Sequence, residues 1–332
     1  MAGSLTKDQN EQFVEEGYLF FDSLLDPERD LDQIIEEFEA ILERLATELY
    51  EGGKITSRHA DLPFGERLAK IVQETVENYT RYFNPSLPPR NITRDTPFWA
   101  GPAVFHAIRN ERILDVLDSL IGGEIYVNPI QNVRLKIPEH LQPRNPKTGE
   151  ILEGATPWHQ DGAFFDPEVD NADMITVWFP LSDATVKNGC LAVLPRSHRE
   201  GFAIHCPKGT KINPAGLDRI PEHIFDVESM VPMPMKRGGA LVFHRRLIHG
   251  SLPNTSNALR WSLDLRYVPI GQPTGYPQLP GFVARSRTNP EAELHDAQKW
   301  HQMWVDCRER LADKNAVPPL HARWSADNPV CN

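Results

Sequence analysis

The sequence predicts a mainly β protein with flanking α-helices: a barrel of strands between a helical beginning and a helical tail. Three observations predict it. Apolar residues recur at three-to-four spacing through the first third of the chain. Short runs with period-two alternation or continuous apolar character dominate residues 124–268. A tryptophan-bearing helical stripe then returns near the end. With 332 residues and 40% hydrophobic content the chain can bury a large core, and one elaborated barrel fits that length as well as two domains. We expect a single domain, with 1–122 as helical support, 123–270 as the strand core carrying the site, and 271–332 as loop and helix.

The first clear helix carries Ile34, Phe38, Ile41, Leu42, Leu45 and Leu49 on one face, with Gly52-Gly53 as its stop. A second is expected over 64–83, ending before Asn84-Pro85, and a third over 103–120. Residues 86–102 are rich in Pro and Thr and read as a loop suited to covering a pocket. Among the strands, Ala240-Leu241-Val242-Phe243-His244 follows an Arg237-Gly238-Gly239 turn and reads as buried. The run from Arg260 to Tyr267 alternates polar and apolar, the mark of a half-buried strand. Two long loops, 138–156 and 206–234, interrupt the strands; loops of that length are often lids or binding elements. Residues 290–314 look helical, and Trp300, Trp304 and Leu311 read as core packing.

Composition bounds the function. A net charge of −11, with no long Lys/Arg cluster, excludes a phosphate-tracking surface, so no nucleic-acid partner is expected. No run of about 18 apolar residues is present, so no membrane span is expected. The start lacks a signal-peptide apolar region, and a cytoplasmic location is expected. Cys190, Cys206, Cys307 and Cys331 are scattered without a C-x-x-C pair and read as free thiols in a reducing compartment. Asn91-Ile92-Thr93 and Asn254-Thr255-Ser256 fit glycosylation acceptors, expected to be idle without secretion. Homo-oligomerisation stays open.

Chemistry concentrates in the middle. His159-Gln160-Asp161 is followed, 88 residues after the aspartate, by His249 and eleven residues later by Arg260. Two imidazoles and one carboxylate make a facial triad for non-haem Fe(II), with open positions for reactants. His-x-acid alone proves little: 12 His and 46 acids in 332 residues predict about 1.7 matches by chance. Three occur: His59-Ala60-Asp61, His159-Gln160-Asp161 and His198-Arg199-Glu200. The first follows a helix in a solvated setting, and the third sits in a Pro- and Ser-marked turn. Only His159 and Asp161 have bulky aromatics beside them, and as strand residues i and i+2 they would share one face. His244 and His205 compete with His249 as second histidine, but eleven residues on they meet Thr255 and Gly216, not an arginine. The face carrying Arg260, Ser262, Asp264 and Arg266 reads as a pocket mouth or a solvated edge, the first being favoured by the bulk of Trp261, Leu263, Leu265 and Tyr267 opposite.

Several longer segments carry a resemblance. Trp158-His159-Gln160-Asp161-Gly162, the run Ala172 to Leu181, the run Asn188 to His198, and His249-Gly250-Ser251 with Arg260 resemble the phytanoyl-CoA dioxygenase family. The opening from Leu5 to Tyr18 is similar too, so the match runs over about 5–268. The resemblance implies a double-stranded β-helix (a jelly-roll, cupin-like barrel) and a dioxygenase using Fe(II), 2-oxoglutarate and O2, with ascorbate open as reductant. It implies His159, Asp161 and His249 as metal ligands and oxidation of an unactivated C–H in a small-molecule metabolite, releasing succinate and CO2. Hydroxylation is the leading outcome; desaturation and epoxidation would use the same centre. The related halogenating enzymes replace the carboxylate with a small residue, so Asp161 implies oxygenation.

Arg260 is the expected partner of the distal 2-oxoglutarate carboxylate, because its planar fork matches a carboxylate. Thr176 and Ser262 are expected to donate there or merely to satisfy nearby backbone. Arg134 and Lys136 reach the pocket mouth or form an exposed edge, and Gln131 and Asn132 are lesser candidates for touching the co-substrate. Trp158, Phe164, Phe165 and Trp178 wall a pocket or fill core. Arg245, Arg246 and Arg266 hint at a substrate with an anionic group. Two other classes remain: a silent barrel that binds a small molecule without iron, and a cupin-type enzyme with another metal. The absence of any H-x-H pair disfavours the second.

Overall fold

A computed structural model describes residues 4–144, 149, 151–152, 154–214, 216–313 and 323–332. Helix α1 (Lys7–Glu16) begins at a capping box, in which the Thr6 hydroxyl accepts from the Gln9 amide while the Gln9 side chain accepts from Thr6 N–H. It ends at Gly17, whose φ of 84° is available at little cost only to glycine. Strand β1 (Tyr18–Phe21) follows, then a short π turn (Pro27–Leu31) leading into α2 (Asp32–Glu51). The six apolar residues predicted for α2 are all buried, and Gly52 caps its end.

Helix α3 (Phe64–Thr75) is shorter than the expected 64–83. It stops where Val76 enters the left-handed region, and the Asn78 side chain then accepts from the Thr80 amide to start a separate 3-10 turn, Thr80–Tyr82. The expected 103–120 helix is two helices, α4 (Pro102–Ile108) and α5 (Glu111–Ile121). Asn110 divides them because its side chain accepts from the Arg112 amide and caps a fresh start.

The described residues hold ten strands: β1, then β2 (Glu124–Val127), β3 (Asn132–Lys136), β4 (Ile175–Pro180), β5 (Leu191–Val193), β6 (Val231–Met233), β7 (Ala240–His244), β8 (His249–Ser251), β9 (Arg260–Pro269) and β10 (Phe282–Ser286). All paired strands run antiparallel. The large sheet has the order β1-β7-β4-β9-β2-β10, with β3 also on β9; the small sheet is β6-β5-β8. The result is the mainly β, helix-flanked fold expected, although β1 and β10 join the large sheet from outside residues 123–270. Helix α6 (Ala297–Leu311) buries Trp300, Trp304 and Leu311, as its stripe predicted. Of the expected 138–156, 206–234 and 290–314 segments, residues 145–148, 150, 153, 215 and 314 lie outside the described residues.

Strand β9 separates the two halves of the core. Opposed residues on paired strands share a face. Trp261 packs on Phe64 (4.5 Å between ring centres) and Tyr267 donates to Ile108 O (2.8 Å), so this face meets the helices. The polar face turns inward. Asp264 stands opposite Asn132 and Trp178, Ser262 opposite Arg134, Arg266 opposite Thr176, and Thr176 opposite Phe243. All residues of β4 are buried because its faces serve two interiors, one apolar and one polar.

The cysteine expectation is corrected. Cys206 and Cys331 form a disulfide across 125 residues, and only Cys190 and Cys307, both buried, are free. Scattered spacing carried no sign of the pair because the fold alone brings them together. No helix among the described residues is long and apolar enough to cross a membrane.

Candidate metal centre

His159 and His249 face each other as an isolated antiparallel bridge, each amide donating to the other's carbonyl at 2.9 Å. Asp161 does not reach the site by strand alternation, as the sequence suggested. A 3-10 turn (Asp161–Phe164) begins there, and the Gly162 amide donates to Arg245 O (2.9 Å), which swings the carboxylate inward. Gln160, between the ligands, is the peg. Its side-chain amide donates to Gly201 O and Arg246 O, its carbonyl accepts from the Ala203 amide, and its own amide donates to His205 Nε2.

Asp161 Oδ1 lies 3.6 Å from His159 Nε2 and 3.9 Å from His249 Nε2, with all three groups buried. Each imidazole turns Nδ1 to a carbonyl, His159 to Pro157 O (2.7 Å) and His249 to Leu247 O (2.9 Å). A carbonyl only accepts, so Nδ1 carries the proton and Nε2 keeps its lone pair facing Asp161. Burial, with His159 beside it, holds His249 neutral by lowering its pKa to about 3. Burial would raise the Asp161 carboxyl, but the Arg266 guanidinium overcomes it and holds the group well below the usual carboxylate range. Arg266 grips both oxygens of Asp161 (3.2 and 2.8 Å) and also Asp264 (2.9 Å), which Arg134 pairs in turn (3.1 Å). Thr176 donates to Asp161 Oδ2 at 2.6 Å. Its hydroxyl proton is therefore directed at the Asp161 carboxylate.

Deeper in, Arg260 is 1% exposed. Its Nε donates to Gly189 O (3.1 Å) and its Nη1 to Ser262 Oγ (2.6 Å), and its guanidinium lies 5.8 Å from the centre of the Trp178 ring. Trp178 and Arg260 line an inner pocket with the three ligands, and the buried Trp178 Nε1 finds no hydrogen-bond partner among the described residues. Lys136, expected at the pocket mouth or an exposed edge, is buried, and its Nζ donates to Ser251 Oγ (2.8 Å) and Leu252 O (3.0 Å).

Outward from His159 and Asp161 opens a cavity of about 630 Å³, lined among others by Ile130, Asn132, Arg134, Phe164, Phe165 and Tyr276, with Pro89 and Arg90 from the 86–102 loop. Phe164 and Phe165 are thus walls. Trp158 is not among the lining residues: its ring meets Phe225 and its Nε1 donates to Glu222. Gln131 is also structural, bridging Asn128 O, Arg266 O and the Arg266 amide. Arg245 and Arg246 are spent on the backbone carbonyls of 170 and 172, so neither supports an anion site as suggested. Sequence reasoning did not identify the Arg266 and Thr176 grips on Asp161 or the Gln160 peg. Cross-strand registry explains the first two, and it becomes legible only once β4 and β9 are paired.

A two-sheet, helix-flanked β fold with two histidines and one carboxylate converging inside defines a non-haem oxygenase class of site. The model of the phytanoyl-CoA dioxygenase (PhyH) family matches residues 13–262, and the chain belongs to that family of oxidoreductases. It is similar to a "phytanoyl-CoA dioxygenase domain-containing protein 1" of Danio rerio, 26% identical over 77% of this chain and 87% of the relative. It is also similar to a "1-deoxypentalenic acid 11-beta-hydroxylase" of Streptomyces arenae, 33% identical over 49% of this chain and 56% of the relative. Among solved structures, a non-haem monooxygenase, ThoJ without ligand, shares the fold with a TM-score of 0.55 at 18% identity, covering 92% of this chain and 98% of that one.

The residues fit a divalent iron. The donor set is hard-to-borderline (two imidazole nitrogens and an ionised carboxylate), one from each residue within 4.8 Å of one another. The inner pocket carries two groups whose chemistry suits a carboxylate, the buried cation of Arg260 and the orphaned buried donor Trp178 Nε1.

Proposed function

We propose that the protein is an Fe(II)- and 2-oxoglutarate-dependent dioxygenase that hydroxylates an unactivated C–H of a small molecule, releasing succinate and CO2. The carrying observation is the trio of Nε2, Nε2 and carboxylate donors directed into a pocket that is closed on one side by Arg260 and open on the other to the cavity. His159, Asp161 and His249 would hold the iron, which when bound with the keto acid supplies O2 activation.

The chain's own residues do the positioning. Arg260, with Ser262 accepting from it, fixes a carboxylate at the pocket's inner end, and Trp178 Nε1 is available as a second donor. Arg266 and Thr176 keep Asp161 ionised and aimed at the histidines, the kind of outer support that sets metal affinity. Phe164, Phe165 and Tyr276 give the outer cavity an aromatic wall suited to an apolar body. The hydroxylase name of the Streptomyces relative supports hydroxylation over desaturation or epoxidation.

The test is an anaerobic visible spectrum of the protein with Fe(II), before and after 2-oxoglutarate. A weak charge-transfer band that needs both components and disappears in His249→Ala supports the reading. Folded protein with added iron and no band refutes it in favour of a silent binding barrel. Arg260→Ala should raise the 2-oxoglutarate concentration needed for half the band by more than ten-fold; an unchanged requirement removes the carboxylate clamp.

A further inference from the structure

The family match ends at residue 262, yet Arg323 and Trp324 line the same cavity as His159 and Asp161. They are held there by a short C-terminal strap. Arg323 makes a forked ion pair with Asp170 (2.7 and 2.9 Å), and its guanidinium sits 4.4 Å from the centre of the Phe202 ring. Trp324 Nε1 donates to Ala163 O (3.1 Å), inside the turn that begins at Asp161. Its ring stacks on His205 at 5.0 Å, the histidine that accepts from the Gln160 amide between two metal ligands.

The strap's far end is fixed covalently. Cys331 is fully buried and bonded to Cys206, and its carbonyl accepts from the Ile212 amide (3.2 Å). Cys206 opens the 206–220 segment, whose Pro207, Lys208, Leu217 and Asp218 line another part of the cavity. The disulfide therefore joins two chain segments that wall one chamber.

We propose that residues 323–332 roof the cavity, that Arg323 and Trp324 are specificity-determining residues, and that Cys206–Cys331 is the clasp that keeps the roof in place. A dithiol reductant opens the clasp. The S–S bond takes up two electrons and two protons to give two S–H groups, while the reductant closes to its own disulfide. Without the bond, residues 323–332 hang on an ion pair, a stacked ring and a few hydrogen bonds, each weak enough to open locally. The link to substrate choice rests on the oxygenase reading above; the clasp and the roof do not.

Hydrogen exchange of the metal-free full chain tests the clasp without iron or turnover. After treatment with oxidised glutathione, two thiols should titrate in denaturant, against four after dithiothreitol. Reduction, or Cys331→Ser, should speed exchange at least ten-fold in 163–170 and 323–332 while leaving β4 and β9 unchanged. Four thiols after oxidation, or equal exchange in both redox states, overturns the clasp. For the wall, Trp324→Phe keeps an aromatic ring but removes the donor and reshapes the surface. Its affinity for 8-anilinonaphthalene-1-sulfonate, an apolar ring system bearing an anion, should differ at least five-fold from that of the parent. Equal affinity, or binding by neither protein, overturns the assignment of Trp324. Loss of the iron–keto acid band in the parent protein would remove the oxygenase reading and leave the exchange result standing.

Discussion

Arg266→Met isolates what holds the carboxylate ligand in place. The Arg266 side chain is 5% exposed and bonds both oxygens of Asp161 and one of Asp264, themselves 3% and 7% exposed. In the variant Asp264 keeps Arg134, so the deficit falls on Asp161. Removing one partner of a buried ion pair costs about 3–5 kcal/mol, because the other charge stays buried and uncompensated. With an unfolding entropy of roughly 2.1 cal/mol/K per residue, 332 residues give about 0.7 kcal/mol/K, so the melting temperature should fall by about 4–7 °C. The assay is thermal unfolding of the metal-free protein near neutral pH. Adding Asp161→Asn should recover at least half the loss, because a neutral amide needs no counter-charge. The depressed Asp161 pKa sets the pH trend: its stabilisation is present above the ordinary 3.8 and is lost as pH falls through the lower folded value. The gap between parent and variant should therefore close on acidification. A loss under about 1 kcal/mol, or no recovery in the double variant, refutes the counter-charge role.

Other outcomes follow from the same geometry. Burial lowers both His205 and His244 to about 3 from 6.5, so the unfolded chain takes up protons that the folded chain refuses as pH falls from 6.5 toward 3. Stability should drop over that window by up to about 1.4 kcal/mol per pH unit for each histidine, and urea midpoints in His244→Gln should show a slope flatter by one proton. Thr176→Val removes the 2.6 Å donor to Asp161 and should weaken Fe(II) binding by about ten-fold or more, read by competition with a chromophoric chelator; parent-like affinity contradicts the support role. In Gly250→Ala a Cβ would sit 2.6 Å from the Trp158 ring and 2.9 Å from Thr156 O, so about 1–3 kcal/mol of stability should go. Asn110→Ala should cost about 1 kcal/mol by uncapping α5, whereas an unchanged urea midpoint would mean that packing alone starts the helix.

The candidate metal site was legible because the chemistry of its residues is local. His159 and Asp161 sit two residues apart, and the eleven-residue step from His249 to Arg260 singled out one histidine among three. The inward polar face of β9 was legible too, through its two-residue period. The rest depends on contacts between distant segments. Thr176 as a donor to Asp161 follows from its pairing opposite Arg266, and Lys136 is buried because Ser251 and Leu252 close over it. The breaks at Val76 and Asn110 escaped a reading of apolar period because caps and turn residues set them, not the stripe. Nothing in the spacing of four cysteines names a partner across 125 residues.

The mutual backbone pairing of His159 and His249 also bears on how the protein is made. The two residues are neighbours only after 89 intervening residues have been laid out, which places this contact among the slow, non-local events of folding. The two imidazoles that this bridge sets side by side are thus a product of closed sheets, not of any local stretch of chain.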